Sequence, residues 1–256
     1  MEDNEILRGV ALVFIIGLPV MAARDAGREL DESHFNQAGR FRRAIYVSIG
    51  VSLLLIAGFG LIVARWQGLP GEELGWDVGP LSSALMWSIG TAAVGLAAAW
   101  LISVTGGRLG LEESRLGYLL MPQDAGEKRA FVLLAGVGAI CEEYVYRGFA
   151  LHVLAAWFGQ PWVAAAVTAL SFGLSHGYQK LAGVLRATVL GAILAVPVVQ
   201  TGSLFPAIVA HFWINAAIGM GGWRLLIPEE LQAEGVKSSG GLERTESMRD
   251  DEDNEQ

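Results

Sequence analysis

The chain has 256 residues, 53% of them hydrophobic and 17% charged, with a mean hydropathy of +0.44. Soluble domains carry about 25% charged residues, so the low charge and the repeated uncharged apolar runs exclude an ordinary soluble domain and place the chain in the membrane class. The net charge of −8 comes almost entirely from residues 228–256, which hold ten acidic and three basic residues; the remainder is close to neutral, and nothing in it suggests nucleic acid.

Residues 6–23 form the first apolar run. Glu2, Asp3 and Glu5 outnumber Arg8 ahead of it, whereas a signal peptide leads with positive charge, so a retained transmembrane helix is expected. A polar loop over 24–43 carries Arg24, Arg28, Arg40, Arg42 and Arg43. A second apolar run covers 44–64, a Gly/Pro-punctuated loop 65–80, and a third run without charge 81–104. Residues 105–129 read as a loop or interfacial helix with Arg108, Arg115, Lys128 and Arg129.

Helices are then predicted over about 130–158, 161–177, 181–200 and 203–222, broken at Gln160-Pro161, Gly177–Lys180 and Thr201-Gly202. Pro197 is expected to kink or end the third of these. The tail from Pro228 has too few apolar residues to offset chain entropy and is expected to be disordered. The resulting fold class is all-α, a polytopic membrane helix bundle of about seven transmembrane helices. It divides into N-terminal helices and loops (1–129), a helical core (130–222) and an acidic tail (223–256). The Lys/Arg-rich loops fall on one side if seven helices cross, which predicts an integral inner-membrane protein with a cytoplasmic tail.

Three polar patches interrupt the core helices. The first is Glu142, Glu143 and Arg147. A charge at membrane depth costs about 2.5–3.5 kcal/mol or more and marks a protein interior or wet cavity. Glu143 and Arg147 are four apart, in the favourable order for a pair within one helix. Glu142 points about 100° away and is left to face a cavity as the candidate general base. The second patch is Phe172 and His176, with His176 at a helix end. The third is His211 and Asn215, four apart and on one face. Ion pairing and hydrogen bonding between helices are the structural uses of the same groups. Together they are the set that activates water and stabilises an oxyanion. The lone Cys141 reads as a small packing residue.

The motifs Glu142-Glu143-x-x-x-Arg147, Phe172-x-x-x-His176 and His211-x-x-x-Asn215, in that order, resemble those of the CPBP intramembrane protease family. That family takes in type II CAAX prenyl proteases and bacterial bacteriocin-processing or immunity proteins. The resemblance covers about 130–220 and implies hydrolysis of a peptide bond in a membrane-associated peptide or protein. It implies that Glu142 and His176 position and deprotonate water, that His211 and Asn215 steady the oxyanion, and that Glu143 and Arg147 set the electrostatics.

Zinc held by Glu142, His176 and His211 is one reading of the same residues, since a catalytic zinc takes three protein ligands and one open position. Metal-free glutamate catalysis is the other and is preferred here, because no HExxH spacing puts two ligands on one helix. A non-catalytic accessory or immunity protein and a proton-coupled transporter are the alternative functions. The final residues, Asp253-Asn254-Glu255-Gln256, are not a CAAX box, so the chain is not expected to be its own prenylated substrate.

Overall fold

A computed structural model of the chain describes residues 4–26, 32–111, 114, 117 and 119–226, with side chains of 25–26 and 32–40 left aside. The described residues are all-α, without a strand. In chain order they are α1 (Glu5–Leu12), α2 (Leu18–Ala26), α3 (Glu32–Trp66), α4 (Leu81–Arg108), α5 (Ala125–Glu143), α6 (Leu151–Phe158), α7 (Pro161–Leu174), α8 (Lys180–Thr201) and α9 (Phe205–Gly219). A π-helical turn at Val13–Gly17 joins α1 to α2, and another at Tyr144–Ala150 joins α5 to α6. The nine helices therefore make seven continuous rods among the described residues.

Four segments are long and apolar enough to cross a membrane: Glu5–Arg24, Phe41–Trp66, Leu81–Arg108 and Gly177–Thr201. The α7 and α9 rods are apolar but shorter, at 14 and 15 residues. At 1.5 Å per residue each spans about 21–22 Å, less than the ~30 Å hydrocarbon layer. His176 lies just past the end of α7, whereas His211 and Asn215 lie within α9.

The α5–α6 rod holds Glu142, Glu143 and Arg147 and forms the centre of the bundle. Every residue from Tyr144 to Ala150 is buried. Around it pack Leu7 and Phe14 from the first rod, Val63 from α3, Leu194 from α8 and Leu204. α7 lies along α8, α3 along α5, and α4 along both α8 and α9. Lipid-facing side chains such as Leu55, Ile62, Met86 and Ile89 stay exposed on the outer rods. The bilayer, not a protein core, is their solvent.

Several boundaries differ from the sequence reading. The polar loop expected over 24–43 is helical from Glu32, because a helix that leaves the membrane can keep its hydrogen-bond ladder under a polar surface. Arg42 anchors that extension, donating from Nε to Leu119 O at 2.6 Å and from Nη1 to both Glu127 carboxylate oxygens at 2.9 and 2.8 Å. α5 starts at Ala125 rather than near 130. Asp124 caps it, accepting from Glu127 N at 2.7 Å, while Glu127 Oε2 reaches back to Gln123 N at 2.7 Å. Pro197 sits inside α8 without ending it, and the helix runs on to Gly202 in the left-handed region. Membrane helices absorb such a proline because neighbouring groups re-satisfy the freed carbonyl. The expected disorder of the acidic tail falls on residues 227–256, outside the described residues.

Candidate active site

The buried pair comes first. Glu143 is 0% exposed and Arg147 1%. Arg147 Nη1 donates to Glu143 Oε1 at 2.9 Å, as the four-residue spacing predicts. Its Nη2 donates to the carbonyl of Gly191 on α8 at 2.8 Å. The guanidinium also lies 4.8 Å from the centre of the Phe172 ring. Gly191 makes this possible: a Cβ there would stand 3.2 Å from Arg147 Nη2, from Phe172 and from the Ala169 backbone. A buried ion pair needs such extra bonds to balance the loss of hydration.

The same carboxylate oxygen holds the third patch. His211 Nδ1 lies 2.7 Å from Glu143 Oε1. An ionised carboxylate only accepts, so Nδ1 carries the proton and the tautomer is set. The other nitrogen, Nε2, is 3.7 Å from Glu142 Oε2. Arg147, Glu143 and His211 thus form a buried row that aims the imidazole at Glu142. The Glu143–His211 bond joins residues 68 apart, and no sequence pattern announces it.

His176 lies just past the end of α7. Its Nδ1 donates to the Phe172 carbonyl one turn back at 2.8 Å, and Nε2 is left as the unengaged ring nitrogen. Phe172 is the shared wall. Its ring is 4.7 Å from His176, 5.9 Å from His211 and 5.2 Å from Tyr146. Tyr146, which the sequence reading passed over, donates to Ser175 Oγ at 2.7 Å, and Ser175 in turn donates to the Ser171 carbonyl at 3.0 Å. This pins the turn that presents His176.

Glu142, His176, His211 and Asn215 line one cavity of about 250 Å³. Glu143 and Arg147 sit behind it. All six residues singled out in the sequence therefore converge, four at the cavity wall and two supporting it. Cys141 is buried, as expected of a packing residue. No group of three His, Cys, Asp or Glu side chains among the described residues is arranged to hold a metal ion. Glu142, His176 and His211 are not assembled as a ligand set.

Residues 127–217 match the family model described as type II CAAX prenyl endopeptidase Rce1-like. These residues are similar to an Rce1-like domain and make up about a third of the chain. The domain begins in the first turn of α5, ends in α9 two residues after Asn215, and contains the whole site. It supports a CAAX-type intramembrane protease family, in keeping with the resemblance drawn from the three motifs. The Rce1-like domain and the apolar helices mark a membrane protein. No curated protein and no solved structure matches the chain.

Proposed function

We propose that the chain is an intramembrane endopeptidase that hydrolyses a peptide bond of a membrane-associated protein or peptide, using water activated by Glu142 and His176. One observation carries this reading: a carboxylate, two imidazoles and an amide face one cavity, backed by the buried Arg147–Glu143–His211 row.

In the proposed step, Glu142 takes a proton from water as the water oxygen bonds to the scissile carbonyl carbon. His176, anchored through Nδ1, orients that water from Nε2. The carbonyl oxygen becomes an oxyanion, steadied by the Asn215 amide and His211 Nε2. The carbon–nitrogen bond then breaks, and the proton held by Glu142 passes to the leaving amine. Donation from His211 Nε2 requires a second proton on the ring, since Nδ1–H is engaged by Glu143. Activating water in this way contributes about 10²–10⁴-fold to the rate.

The test uses the purified full-length protein in detergent or proteoliposomes with internally quenched, N-acylated peptides. Glu142→Gln and His176→Ala are expected to lose at least about 10²-fold in turnover while keeping the wild-type elution volume and helicity. Wild-type turnover by Glu142→Gln would refute the assignment.

A further inference from the structure

The short turn Gly177–Gln179 brings another polar group to the same cavity. Tyr178 and Gln179 line it together with the four groups named above. The Tyr178 ring stands 6.0 Å from that of His176, at an interplanar angle of 31°. Gln179 Nε2 donates to Tyr178 Oη at 2.9 Å. A phenol oxygen has acceptor lone pairs and a single proton to donate. The glutamine occupies the acceptor side and leaves the proton for a different partner.

The turn is over-determined. Gln179 N donates to His176 O at 2.8 Å. A Cβ on Gly183 would run into the Gln179 side chain, so the glycine makes room for the glutamine to fold back along α8. Lys180, with φ 59°, is the one non-glycine at positive φ among the described residues. Backbone held in such a region persists where its surroundings enforce it, and it gathers at active sites. Here it lies two residues beyond a phenol that shares a cavity with the candidate base.

We propose that Tyr178 is a catalytic residue: its hydroxyl donates a hydrogen bond to the scissile carbonyl oxygen of the substrate and to the oxyanion formed from it, with Gln179 aiming the phenol. The proposal rests on the peptidase reading above. No proton is transferred; the bond strengthens as negative charge develops on oxygen, and a donor fixed in advance in a water-poor cavity is worth most at that moment.

The test compares Tyr178→Phe, Gln179→Ala and Glu142→Gln in the full-length protein, using the same quenched N-acylated peptides and a phosphinic peptide as tetrahedral mimic. Tyr178→Phe is expected to lower kcat by about 10²-fold, the lower end for loss of one oxyanion donor. KM should stay within about threefold, and phosphinic-peptide inhibition should weaken by a factor similar to the kcat loss. Gln179→Ala should lose less, in the same direction. A role confined to packing would move the thermal midpoint but not split kcat from KM. Unchanged kcat in Tyr178→Phe, or a change in KM alone, overturns the proposal. If Glu142→Gln is inactive while Tyr178→Phe turns over normally, the Tyr178 assignment alone has failed. If Glu142→Gln turns over like wild type, or the wild type cleaves no peptide, the peptidase reading has failed and this proposal falls with it.

Discussion

At the scale of single residues, the decisive feature is one oxygen with two donors. Glu143 Oε1 accepts from Arg147 at 2.9 Å and from His211 at 2.7 Å, wholly away from solvent. Removing only the cation strands a buried carboxylate, which costs about 3–5 kcal/mol. Arg147→Leu is therefore expected to lower the thermal midpoint sharply and to abolish activity. Replacing both partners, Glu143→Leu with Arg147→Leu, removes the stranded charge as well and should recover much of the stability. Activity should not return, because His211 then has nothing to fix its ring. Recovery of turnover in the double variant would show that the row is structural only. Arg147→Lys should also fail, since a point ammonium cannot reach Glu143 and the Gly191 carbonyl together. The Glu143–Arg147 half of this row was legible in the sequence, because four-residue spacing on a helix is a local rule. The His211 half and the Gly191 carbonyl were not, because both contacts depend on how distant helices pack.

At the scale of elements, α7 must lie close against α8 to hold His176 and Phe172 in place. Gly173 sets that distance. A Cβ there would collide with the Thr188 side chain and stand 2.9 Å from the Thr188 backbone nitrogen. Backbone cannot step aside as a side-chain tip can, so Gly173→Ala is expected to cost about 1–3 kcal/mol through overpacking and to displace His176. Adding Thr188→Ala should not rescue it. Gly95 on α4 makes the contrast: its added Cβ would meet side chains alone, Ile214 Cδ1 at 2.6 Å and Leu190 Cδ2 at 3.3 Å, and such tips can rotate away. Gly95→Ala should leave the thermal midpoint within a few degrees of wild type. Equal loss in the two variants would mean that helix spacing does not control the site.

The start of α5 adds a pH dependence. The Glu127 N–H holds the Asp124 carboxyl below the usual carboxylate range. A carboxylate lowered on folding contributes stability above its unfolded value and loses it as pH falls through the folded value. The thermal midpoints of wild type and Asp124→Ala should therefore converge in acid. The rods themselves were readable from apolar runs and Pro/Gly breaks. The Asp124-x-x-Glu127 cap was readable too, as a capping box, and the expected start near 130 overlooked it. The π-helical turn at Tyr144–Ala150 carries no sequence signature, although such turns gather at functional sites.

At the scale of the molecule, the question is which end of the bundle faces which compartment. Loops 67–80, 159–160 and 202–204 lie at one end, as the alternation of the rods requires, and 119–124, 175–179 and 220–226 lie at the other. The Arg42–Glu127 pair and the Tyr46 Oη–Leu120 O bond, at 2.6 Å, tie the N-terminal part of α3 to that second end. Arg42 and Arg43 of α3 therefore stand at the same end as the start of α5, with Lys128 and Arg129. Positive loops stay in the cytoplasm, so the second end is expected to face inward. The chain's single cysteine, Cys141, is buried, so a Cys141→Ser background gives a clean test with an impermeant maleimide. Exposed Glu72 and Gln123 mark the two ends. In intact cells Glu72→Cys should label and Gln123→Cys should not; in inverted vesicles the pattern should reverse. Labelling of Gln123→Cys from outside would invert the bundle relative to this expectation.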